Sequence, residues 1–143
     1  MAQAIQEIEQ EIVEEFALFD DWMDKYQYII EMGQELQGLP EPDKVDENIV
    51  RGCQSQVWLT ANLEGEAVVF EADSDAIITK GLIGMLVRVF SGQQPSAILN
   101  ARLDFVDQIG IREHLSPTRS NGLNAMIKKM KMYALAFQAK LQA

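Results

Sequence analysis

Cysteine is almost missing from this sequence: the 143 residues hold one, Cys53, and a single histidine, His114. One cysteine forms no internal disulfide. One cysteine and one histidine fall short of a tetrahedral zinc site, which draws most of its ligands from those two residue types. No metal and no cofactor of the chain's own is therefore expected. No apolar run approaches the ~20 residues that a transmembrane helix needs. The opening stretch, MAQAIQEIEQEIVEE, lacks the basic start and apolar run of a secretion signal. A cytoplasmic protein is the expectation. Basic residues are scarce too: 12 Lys and Arg against 22 Asp and Glu leave a net charge of −10. Nucleic acid and anionic membrane surfaces attract basic patches, so neither is expected as a partner. A partner with a basic surface is compatible with this charge, and solubility alone also accounts for it.

What is present describes a globular chain. Hydrophobic residues make up 48% and charged residues 24% of the sequence, both ordinary values. The length fits one domain spanning residues 1–143. A chain of this size buries roughly 68–70% of the surface its unfolded form exposes, enough for a core without metal or disulfides.

Ile5, Ile8, Ile12, Phe16 and Phe19 recur at steps of three and four, the spacing of one helix face. Asp20 and Asp21 read as a restart, because an acidic side chain caps free amides. Trp22, Tyr26, Ile29 and Ile30 then continue an apolar stripe to about Gly33 or Leu36. Residues 38–48, GLPEPDKVDEN, read as loop. Residues 54–73 read as a hairpin with Glu64-Gly65 in the turn: Val57, Leu59, Ala61 and Leu63 alternate with polar or amphipathic neighbours. A short strand at Asn48–Val50 is expected as a third member. Asp73-Ser74-Asp75 reads as a cap for the apolar helix AIITKGLIGMLVRVF. Short helices are expected from Pro95 and from Leu103, then a polar turn through EHLSPTRSNG, then a long helix marked by Leu123, Met126, Ile127, Met130, Ala134, Phe137 and Leu141. Lys128, Lys129 and Lys131 are assigned to its outer face. Trp22, Trp58 and the methionines at 126, 130 and 132 read as packing residues. Helices on both sides of one antiparallel hairpin make an α+β fold, a small sheet of about three strands flanked by helices.

Two readings compete at Cys53. Free cysteine is usually a buried, inert packing residue. Here it stands between Gly52 and Gln54, ahead of a strand, among the polar residues Arg51, Gln54, Ser55 and Gln56. A nearby guanidinium favours the reactive thiolate, and Gly52 permits backbone conformations closed to other residues.

GCQSQVW at residues 52–58 and HLSPTRSNGL at residues 114–123 resemble the two signature segments of the SufE family. DSDAIITKGL at residues 73–82 and KYQYIIEMG at residues 25–33 resemble two further ones, in family order, so the resemblance covers essentially the whole chain. It implies an α+β fold like that of the IscU scaffold. It also implies a protein that accepts sulfane sulfur from a pyridoxal-phosphate cysteine desulfurase of the SufS or CsdA type. Such a protein stimulates that enzyme and passes the sulfur to a downstream acceptor or iron–sulfur scaffold. It implies Cys53 as the persulfide-forming residue and a monomer or weak homodimer. Cluster binding does not follow, because one cysteine is too few ligands.

By the same resemblance Arg119 lies on the active-site side, placed to steady a persulfide anion or the partner's acidic groups. Arg51, Gly52, Gln54, Ser55, Gln56 and Asp75 are the candidate loop and partner-binding residues, with helix capping the simpler role for Asp75. His114 is a candidate proton shuttle, set against the structural role usual for a lone histidine before a turn. Cys53 must shelter its sulfur yet reach a donor in another protein, so residues 50–54 are expected to form a movable loop. Two alternatives are an adaptor that binds the desulfurase without carrying sulfur, and a hydrolase pairing Cys53 with His114 and an acid.

Overall fold

The computed structural model describes residues 3–142. Helices α1 (Ile5–Phe16) and α2 (Trp22–Gln34) come first. Ile5, Ile8, Ile12 and Phe16 bury the expected face of α1. Phe19 falls in the connection, and α2 restarts where expected, because Asp21 Oδ1 accepts from Asp24 N at 2.9 Å. The Pro-rich stretch carries two 3-10 turns, Glu41–Asp43 and Asp46–Asn48.

Strands β1 (Val57–Glu64) and β2 (Ala67–Ser74) form an antiparallel hairpin that pairs Val57 with Ser74 at one end and Glu64 with Ala67 at the other. The turn residues are Gly65-Glu66, one step beyond the expected pair. Among the described residues the sheet has two strands. The third member expected at Asn48–Val50 reduces to a single bridge between Ile49 and Trp58, with Val50 N donating to Val57 O at 2.8 Å. The 3-10 turn before it and the turn at Arg51-Gly52 after it leave too little extended chain for a strand.

Helix α3 (Ile77–Phe90) is buried on most of its surface. It crosses α2 at glycines: a Cβ on Gly33 would lie 2.7 Å from Gly81 N, and one on Gly81 would collide with Ile29 O. Only glycine allows the two backbones this close. On another side, Arg88 forks onto Glu15 of α1 through bonds of 2.7 and 2.6 Å. Helices α4 (Pro95–Asn100), α5 (Phe105–Gln108) and α6 (Ile111–His114) are short and lead to α7 (Pro117–Gln142).

The start of α7 corrects the turn expected through PTRSNG. Ser116 Oγ accepts from Arg119 N at 3.2 Å and Pro117 takes the first helical position, a combination that starts helices. Lys129 and Lys131 are half-buried rather than outward: their ammonium groups donate to Ile49 O at 3.1 Å and Ala101 O at 2.6 Å. One core joins all these elements, with Ile12, Ile29, Leu59, Leu82, Leu86, Phe90, Val106, Leu123 and Met130 at its centre. The α+β class expected from the sequence is the class observed. No helix among the described residues is long and apolar enough to cross a membrane.

Candidate functional site

Cys53 sits on the loop between the Ile49–Trp58 bridge and β1. Gly52 has φ of 100°, and a Cβ there would meet the Ala125 side chain of α7 at 3.2 Å. The loop thus turns toward α7 at a residue that must be glycine. The far end of the loop is tied to the segment that follows the hairpin. Asp75 Oδ1 accepts from Gln56 N at 3.0 Å, Asp75 N donates to Gln56 O at 3.2 Å, and Ser74 Oγ donates to Gln56 O at 2.8 Å. This corrects the capping role for Asp75: α3 follows Ala76 with no side-chain cap, because the carboxylate is engaged by the cysteine loop instead.

Between those two anchors the Cys53 side chain is half-buried and points into a recess of about 70 Å³. Its Sγ lies 3.6 Å from Gly122 O, to which the thiol donates. Thr79 and Leu82 of α3 and Thr118, Arg119, Gly122 and Met126 of α7 complete the lining with Gln54 and Ser55. A Cβ on Gly122 would stand 3.3 Å from Sγ, so this glycine makes the space. Burial pushes the Cys53 thiol up from its ordinary value. The expected help from Arg51 is not realised. Arg51 is exposed and lines a separate groove with Asp46, Glu47, Ala125 and Lys128. The resting cysteine is a sheltered thiol rather than an activated thiolate.

The remaining candidates divide. Gln54, Ser55 and Arg119 meet at the recess, with Arg119 exposed at its rim and in no ion pair with another described residue. Gln56 acts through its backbone alone. His114 is not among the lining residues. Its ring stacks on Trp22 at 3.8 Å between centroids, and its Nδ1 lies 3.1 Å from Gly110 O. Tyr26 donates its hydroxyl to His114 O, a second tie between α2 and α6. Sequence reading missed Thr79, Leu82, Thr118 and Gly122. All four stand inside segments already singled out, but only the convergence of α3 and α7 reveals that they share a wall. Among the described residues no three His, Cys, Asp or Glu side chains converge as a metal-ligand set.

The family model for SufE, the Fe-S metabolism associated domain, matches residues 10–134. A SufE-like protein of Rhizobium meliloti is 43% identical over 129 residues, 87% of this chain and 92% of that protein. One from Synechocystis is 37% identical over 127 residues, 89% of this chain and 80% of that protein. The chloroplastic/mitochondrial SufE-like protein 1 of Arabidopsis thaliana is 42% identical over 132 residues, covering 92% of this chain but 36% of that longer protein. The solution structure of a hypothetical protein from Thermus thermophilus has the same fold. It aligns with a TM-score of 0.76 at 21% identity, over 92% of this chain and 96% of that one.

Proposed function

The chain belongs to the SufE family, whose general role is sulfur transfer, and from that premise we propose that Cys53 is its sulfur carrier. The chain takes sulfane sulfur from a pyridoxal-phosphate cysteine desulfurase of the SufS or CsdA type. It passes that sulfur to an acceptor or scaffold of iron–sulfur cluster assembly. The observation that carries this reading is the placement of the one cysteine: half-buried over a small recess, on a loop held by Gly52 and by the Gln56–Asp75 pair.

The chemistry needs one nucleophile. The Cys53 thiolate attacks the outer sulfur of the donor's persulfide. A bond forms between Cys53 Sγ and that sulfur, the donor's S–S bond breaks, and the donor cysteine leaves as thiolate. No oxidant is consumed, because the sulfane sulfur keeps its oxidation state. The pyridoxal-phosphate step belongs to the partner. Since burial disfavours the resting thiolate, activation accompanies exit from the recess, where the thiol leaves Gly122 and gains water. Arg119 at the rim is placed to meet the persulfide anion or an acidic group of the partner. The working unit is one domain of residues 1–143 in the cytoplasm, as a monomer or weak homodimer.

The test is intact-mass analysis after incubation with a desulfurase, free cysteine and pyridoxal phosphate. The expected result is a gain of one or more sulfur atoms that disappears in Cys53→Ser. A Cys53→Ser protein that still raises desulfurase turnover fully would replace carriage with an adaptor role.

A further inference from the structure

Among the described residues three polar side chains are buried: Asp73, Thr79 and Gln93. Asp73 accepts from Leu39 N at 3.2 Å and Ser74 N at 2.8 Å, and its carboxylate faces Lys44 and Lys80. Gln93 donates to Gln3 O at 2.6 Å. Thr79 differs. It is 7% exposed, yet its side chain makes no hydrogen bond among the described residues. A helical threonine often bonds the carbonyl a turn back, and this one does not. Nor is its hydroxyl sealed in: the enclosed side-chain atom left without a partner is Glu9 Oε1. Thr79 lines the recess into which Cys53 points. A threonine hydroxyl can donate one hydrogen bond, and this one has no partner among the described residues.

We propose that Thr79 is the hydrogen-bond donor for the outer sulfur of the Cys53 persulfide, retained in the recess between loading and delivery. The inference rests on the carrier reading above. The free thiol leaves the Thr79 hydroxyl idle because it donates to Gly122 O instead. A persulfide anion has a terminal acceptor atom one bond further out and no proton to give to that carbonyl. The recess, about 70 Å³, has room for that added atom. Leu82 and Met126 cover it with apolar surface, and Thr118 brings a second hydroxyl from α7. Hydrogen bonds to ionised acceptors are stronger than neutral ones, so the loaded loop is held more firmly than the empty one. The carrier is then most closed when it has a sulfur to protect.

The test compares Thr79→Val, which keeps shape and removes the donor, with Thr79→Ser, which keeps the donor. Each protein is loaded by desulfurase and cysteine, freed of both, and challenged with excess water-soluble trialkylphosphine. The phosphine lone pair attacks the outer sulfur, the S–S bond breaks, Cys53 leaves as thiolate and phosphine sulfide forms. Mass spectrometry follows the loss of the sulfur. Thr79→Val is expected to lose it roughly fivefold faster than wild type, as for one missing hydrogen bond, and Thr79→Ser at the wild-type rate. Iodoacetamide alkylation of the unloaded thiol is expected to be equal in all three, which separates a lost donor from a loosened fold. Thr79→Ala replaces the valine variant should that fail to fold. Equal desulfuration of wild type and valine variant overturns this inference alone. A wild type that gains no sulfur overturns the carrier reading and this inference with it.

Discussion

Gly122→Ala sets two effects against each other at the recess. A methyl group there would lie 3.3 Å from Cys53 Sγ, 3.7 Å from its Cα and 3.8 Å from its Cβ. Within a helix, alanine is better than glycine by about 0.8–1.0 kcal/mol. Overpacking a tight contact costs about 1–3 kcal/mol, but only while the contact persists. The crowded atom ends a short side chain on a loop, so the loop can withdraw and leave the helix its gain. Global stability should therefore change by less than about 1 kcal/mol. The retracted thiol alone bears the penalty, and a bias of about 1 kcal/mol toward the withdrawn position raises its population roughly fivefold. Alkylation of Cys53 by iodoacetamide, followed across pH, reads this directly. The rate should rise about fivefold, with its pH midpoint lowered, because burial is what pushes the thiol up. An unchanged rate together with a stability loss above about 3 kcal/mol would refute the reasoning, since it would make the contact part of an unyielding core.

Asp75→Ala should leave Gln56 N unpartnered and raise the Cys53 alkylation rate several-fold, while Asp75→Asn, which keeps an acceptor, should change it little; equal rates in all three would remove the loop anchor from the argument. Asp73 shows the opposite pH logic to a typical buried acid. Burial alone would raise its pKa, but hydrogen bonds from Leu39 and Ser74 and the charges of Lys44 and Lys80 outweigh burial and hold it below the usual carboxylate range. Its contribution is full above about pH 3.9 and is lost as pH falls through its lower folded value. Asp73→Asn should cost about 1–3 kcal/mol at neutral pH and flatten the acid limb of a plot of melting temperature against pH. Glu9 runs the other way: burial and the nearby Asp104 raise its pKa, and its Oε1 is buried without a partner. Its destabilising effect is absent below the unfolded value and complete above the folded one. Glu9→Gln should therefore raise the melting temperature at neutral pH and lose that advantage on acidification below the usual carboxylate range.

Local pattern carried most of the architecture. The face of α1, the Asp21 cap, the hairpin and the apolar α3 each follow from periodicities that a few residues display. The misreadings have local causes as well. PTRSNG is rich in turn-forming residues, and its composition hid the cap and first-turn pair Ser116-Pro117 that begins α7. Asp73-Ser74-Asp75 has the composition of a cap, yet its carboxylates go to Leu39, Lys44 and Gln56, partners 19 to 34 residues away that no local window contains. The candidate site was legible only at its centre. Cys53 stood out by being alone, and Arg119 by its motif. Thr79 and Gly122 belong to helices that meet only after folding, and an idle hydroxyl has no signature in a sequence.

The glycine crossing of α2 and α3 also bears on which side of the recess can move. Thr79 and Leu82 stand on α3 beside Gly81, whose backbone rests against that of Ile29. A slide of α3 along α2 would drive side chains into carbonyls, so that wall of the recess is fixed to the body of the protein. The other wall is the loop, which meets α7 where the Cys53 thiol donates to Gly122 O and where Gly52 faces Ala125. The recess is therefore a vise with one jaw of helix, from α3 and α7, and one of loop. On the carrier proposal a partner would reach a sulfur on Cys53 from the loop side, and mutations across the α2–α3 seam should alter how much protein survives rather than how fast sulfur is transferred.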